Sequence, residues 1–105
     1  MAAMTTYFVS RHPGALHWMQ QHGPAFDRHV PHLDPAQVQP GDTVIGTLPV
    51  NLAAQVCAHG AAYWHLALQM PAEWRGQELT AEQLGAAQAH LQQFHIQPSM
   101  KGHQA

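Results

Sequence analysis

Two segments of the chain turn in the same way, and together they restrict the fold more than any other feature. Residues 5–10 (TTYFVS) are a β-branched and aromatic run that ends in a polar cluster before Pro13. Residues 43–47 (TVIGT) are a second such run, ending at Gly46 and Thr47 before Pro49. Proline suits the first turn of a helix, and helical spacing follows each one. Ala15, Leu16 and Met19 lead to Gly23; Leu52, Ala53, Val56 and Cys57 lead to Gly60. A strand, a short turn and a helix, used twice, is the unit from which parallel sheets are built.

The remaining segments fit around these units. Residues 26–33 read as a strand, with Pro31 removing a ladder donor and so placing it at a sheet edge. Residues 34–42 are a connection, and residues 63–68 (YWHLAL) a fourth strand. After a loop at residues 71–79, Thr80 and Gln83 make a capping box for a last helix. Its stripe is Leu84, Ala87, Leu91 and Phe94. The prediction is an α/β fold: a small Rossmann-like, three-layer domain over residues 5–94. Its mostly parallel four-stranded sheet has the order 2-1-3-4, and residues 95–105 form a frayed tail. In that order strands 1 and 3 are neighbours whose connections leave to opposite faces. Ligands bind at the carboxyl ends of strands at such a switch point.

Charge narrows the partners. The 105 residues include only 4 Lys and Arg against 6 Asp and Glu, a net charge of −2. Duplex nucleic acid needs several phosphate contacts, which so few scattered cations do not supply. A small anion held by one or two cations and backbone amides is compatible with the chain. Only 10% of residues are charged, against the usual quarter or so, which leaves neutral surface for a second subunit. Cys57 is the sole cysteine, so no internal disulfide forms, as suits a reducing cytosol. The start lacks the basic and apolar regions of a secretory signal, and no apolar run approaches membrane-spanning length. A cytoplasmic protein without membrane contact is expected.

Two motifs carry chemistry. In FVSRHPGA, Ser10, Arg11 and His12 stand between a strand end and a helix N-terminus, with Gly14 just inside the helix. They offer a hydroxyl, a forked guanidinium donor and an ionisable imidazole beside unpaired N–H groups. In VIGTLPVN, Gly46 allows close backbone approach, Thr47 supplies a hydroxyl, and Leu48 and Asn51 border the next helix. Capping alone also accounts for Ser10, His12 and Asn51. Trp74, in the loop after strand 4, is a candidate platform for a base. His65 reads as a core histidine, and Arg75 with its flanking Glu73 and Glu78 as solvated. The other histidines have no spacing that shares a metal: His29 and His32 point to opposite strand faces. No metal or cofactor is expected.

FVSRHPGA, then HLDPAQVQPGDTVIGTLPVNLAAQVCAHGAAYWHLAL, then PAEWRGQELTAEQ resembles the small stand-alone accessory proteins of type III CRISPR loci in the Csx group, over roughly residues 5–83. The resemblance implies a single CARF-type Rossmann-like domain acting as a ring nuclease. Its implied substrate is a cyclic oligoadenylate second messenger, cyclic tetra-adenylate in particular, and its implied role is to switch off the antiviral signal. Attack by a ribose 2′-hydroxyl on the adjacent phosphate needs positioning and charge stabilisation rather than a metal. Arg11 would then stabilise the phosphorane and His12 would be base or acid. Ser10, Thr47 and Asn51 would orient phosphate and ribose, and a homodimer would enclose the ring. A binding-only sensor and a structural interaction module are alternatives. So is a histidine-phosphatase-like enzyme using the Arg11–His12 pair.

Overall fold

A computed structural model of the chain describes residues 4–69 and 72–99. In chain order its elements are β1 (Thr6–Val9), α1 (Pro13–His22), β2 (Arg28–Val30), a 3-10 turn (Pro35–Gln37) and β3 (Thr43–Gly46). Then come α2 (Val50–Ala58), β4 (Ala62–Ala67), a 3-10 turn (Ala72–Trp74), α3 (Ala81–Ala86) and β5 (His90–Phe94). The sheet runs β2-β1-β3-β4-β5. β1 is parallel to β2 and β3, β3 is parallel to β4, and β5 is antiparallel to β4.

The central strands are apolar without alternation because both of their faces are covered. From β1, Tyr7 and Val9 enter a core with Val44, Val56 and Tyr63, on the α2 side. Phe8 enters the opposite core with Met19, Ile45, Leu66 and Leu84, on the side of α1 and α3. That is the expected three-layer arrangement. β2 is shorter than the predicted strand, and Pro31 stands just past its end at the sheet edge. No helix among the described residues is long and apolar enough to cross a membrane.

The predicted four-stranded sheet of order 2-1-3-4 is corrected to five strands, because the predicted last helix breaks in two. The capping box of Thr80 and Gln83 forms, but α3 ends at Ala86. Ala89 N–H donates to the Leu84 carbonyl at 2.9 Å and Gln88 N–H to Gly85 at 3.0 Å, with Gln88 at φ 58°. This is a Schellman closure, and Ala89 returns to the apolar cluster that holds Leu84. Leu91 and Phe94, predicted on one helix stripe, lie instead on opposite faces of β5. Leu91 stands beside Leu66 and Phe94 beside Tyr63. The chain then covers the otherwise open edge of β4, a tertiary gain that outweighs helix propensity. In the predicted tail, residues 95–99 have no regular structure, but Ile96 packs against the α2-side core and its N–H meets Cys57 Sγ at 3.4 Å. Residues 100–105 lie outside the described residues.

The amino ends of β1 and β3 are fastened by one buried carboxylate. Asp42 accepts the Thr5 N–H through Oδ1 and the Gln39 N–H through Oδ2, both at 2.9 Å. Removing it strands two backbone donors. Asp42→Ala is expected to cost about 3 kcal/mol, read as a lower midpoint in denaturant, with Asp42→Asn less affected because one acceptor survives. Equal stability of Asp42→Ala and wild type would contradict this.

Candidate functional site

The parallel register sets Val9 and Gly46, the last residues of β1 and β3, level with His65 in β4. At this edge the chain leaves β1 for α1 on one face and β3 for α2 on the other, so a crevice opens between the two loops. Two cavities lie there. One, of about 580 Å³, has an apolar floor that includes Phe8, Leu66, Leu79 and Leu84. Its polar lining is Ser10, His12, Thr47, His65, Arg75 and Gln77. The other, of about 440 Å³, holds Arg11, His32, Leu48 and Leu52. The two meet along a shared seam of Val9, Ser10, His12 and Thr47.

Ser10 is held on three sides. Its N–H donates to the Val30 carbonyl at 3.0 Å, and its own carbonyl is 3.0 Å from His29 Nε2. Its Oγ accepts the His12 N–H at 3.1 Å, leaving the hydroxyl proton available to donate. His12 is the N-cap residue of α1, which has no side-chain cap; neither has α2, whose N-cap is Pro49. By contrast the side chains of Asp34 and Thr80 cap the 3-10 turn at Pro35–Gln37 and α3. α1 and α2 therefore each start at or beside a proline, with no side chain bonded over the end.

The two glycines of the motifs are explained by packing. A Cβ on Gly14 would collide with the backbone carbonyl of Leu79, so glycine lets α1 lie against the start of α3. A Cβ on Gly46 would come 2.8 Å from the Val9 carbonyl oxygen. Glycine there permits the close approach of β1 and β3. Thr47 is exposed on the seam. Asn51 is exposed on the first turn of α2 and Trp74 is half-buried in its 3-10 turn; neither lines either of these two cavities. The loop after β4 instead contributes Arg75 and Gln77.

His65 and Tyr63 belong to the site, although His65 was predicted to be core. Tyr63 is 1% exposed. Its Oη accepts the Leu48 N–H at 2.9 Å, donates to the Gly46 carbonyl at 3.2 Å, and lies 2.7 Å from His65 Nδ1. Burial pushes the Tyr63 hydroxyl above its ordinary range; the Leu48 N–H opposes this, and nearby Cys57 adds to it. The phenol accordingly stays neutral and fixes the turn at residues 46–48. A Tyr-x-His spacing on a strand puts phenol and imidazole on one face, which is the signal that could have found the pair. Among the described residues no group of three or more His, Cys, Asp or Glu is arranged to hold a metal ion.

A family model described as "Putative CRISPR-associated protein (Cas_VVA1548)" matches residues 7–97, from β1 to just beyond β5. No curated protein and no solved structure gives a significant match.

Proposed function

The chain belongs to the Cas_VVA1548 family of CRISPR-associated proteins, and from that premise we propose that it is a metal-independent ring nuclease of type III CRISPR signalling. Its substrate is a cyclic oligoadenylate, cyclic tetra-adenylate above all, and its cleavage ends the antiviral signal. The observation that carries this reading is the meeting of two cavities along Ser10, His12 and Thr47 at the switch point. An apolar floor suits the face of an adenine, and the polar seam beside it suits the phosphodiester that follows. A CARF-like role for the Rossmann-like domain accords with ligand binding at this edge.

In the proposed reaction the ribose 2′-oxygen attacks the adjacent phosphorus, and the products are linear oligoadenylates ending in a 2′,3′-cyclic phosphate. Arg11 stabilises charge on the phosphorane. His12 transfers a proton, while Ser10 and Thr47 orient the phosphate. A ring has more faces than one small domain can enclose, so the active form is a homodimer supplying two copies of the seam.

The test is incubation with cyclic oligoadenylates of several ring sizes, chromatography of the products, and light scattering of the complex. The expected result is preferential opening of the tetra-adenylate ring by a dimer. A monomeric complex would remove the dimer, and a bound but uncleaved ring would favour a sensor.

A further inference from the structure

Tyr63 and His65 point to the same face of β4, and their hydrogen bonds decide which imidazole nitrogen carries the proton. A phenol oxygen donates one hydrogen bond and accepts two. Tyr63 Oη has three partners: the Leu48 N–H at 2.9 Å, the Gly46 carbonyl at 3.2 Å and His65 Nδ1 at 2.7 Å. The Leu48 N–H is a donor and the Gly46 carbonyl an acceptor. All three contacts are made together only if the phenol gives its hydrogen to Gly46 and accepts from both Leu48 and His65. His65 then carries a proton on Nδ1, and in the neutral imidazole Nε2 holds the lone pair. The alternative, with the phenol donating to Nδ1, leaves the bond to the Gly46 carbonyl unmade. Phe94 braces the imidazole from β5, edge to face, with ring centroids 5.9 Å apart. His65 and His12 both line the larger cavity.

We propose that Tyr63 holds His65 as the general base of this site, with Nδ1–H directed to the phenol and Nε2 open to the substrate. The inference rests on the ring-opening reaction proposed above and adds the group that starts it. His65 Nε2 takes the proton of the 2′-hydroxyl as the 2′-oxygen bonds to phosphorus. The bond from phosphorus to the 5′-oxygen breaks, and that oxygen takes a proton from the His12 imidazolium. His65 ends protonated, His12 neutral, and the products carry a 2′,3′-cyclic phosphate and a 5′-hydroxyl. Tyr63 is a positioning residue: it touches the imidazole and the turn at residues 46–48, and it acts through His65.

The test joins imidazole nitrogen NMR of the full-length protein to kinetics on cyclic tetra-adenylate. Wild type is expected to show His65 protonated at Nδ1 and unprotonated at Nε2, and Tyr63→Phe to lose that preference. His65→Gln is expected to slow turnover on the order of 10²-fold or more while ring binding changes little. A wild-type His65 protonated at Nε2 would overturn the assignment without any variant having to fold. Wild-type turnover by a folded His65→Gln protein would overturn it as well. An Nδ1–H tautomer in a wild type that opens no ring would support the Tyr63–His65 pairing and refute the cleavage reading.

Discussion

A cyclic tetra-adenylate with every 2′-hydroxyl methylated is expected to bind the protein and remain intact. Methylation leaves the phosphates, the adenines and the ring in place, so the contacts offered by Ser10, Arg11 and Thr47 survive. What disappears is the nucleophile. In the proposed mechanism no water and no side chain replaces it, so turnover falls to background rather than by a finite factor. Binding is read by displacement of a labelled unmodified ring and cleavage by chromatography of the same sample. A methylated or 2′-deoxy ring that opened at an appreciable rate would mean that water or His12 attacks phosphorus directly. The phosphatase-like use of the Arg11–His12 pair would then take precedence.

The second large effect separates Arg11 from His12. The two are adjacent in sequence but differ in position: both border the smaller cavity, while His12 alone also lines the larger one. A proton-transferring group acts mainly in the transition state, so His12→Ala is expected to lower the rate of bound substrate by about 10²–10⁴-fold. Its effect on ring affinity should be much smaller. Arg11 meets phosphate in the ground state and the transition state alike, so Arg11→Ala is expected to weaken binding and turnover together. Both side chains are exposed, and the variants should melt like wild type. Single-turnover rates beside equilibrium binding distinguish the two. If His12→Ala lost affinity but kept its single-turnover rate, the imidazole would be a binding group only.

The parallel core was legible because its signals are local. Each βα unit carries its own strand run, turn and helix-starting proline, and the adjacency of the carboxyl ends of β1 and β3 follows once those units are laid side by side. Pro31 correctly placed β2 at the edge, since a missing donor has few other positions. The last segment was not legible, because its helix ends at Ala86 and is closed by Gln88 in a left-handed conformation, with no glycine or asparagine there to mark the stop. Leu84, Ala87, Leu91 and Phe94 also keep helical spacing by coincidence, and only the open edge of β4 selects the strand. Within the site the motifs located the seam but not the reasons for its glycines. Gly14 and Gly46 answer to the Leu79 and Val9 carbonyls, contacts that connect distant parts of the chain. Arg75 reaches the cavity from a loop whose path no periodicity describes, and His65 was read alone, without the phenol two residues before it.

The central claim is tested most directly by mass spectrometry of the products formed when wild-type protein meets cyclic tetra-adenylate in excess chelator. The account predicts linear oligoadenylates ending in a 2′,3′-cyclic phosphate, formed at the same rate with and without the chelator. An intact ring, or cleavage that the chelator abolishes, would contradict it.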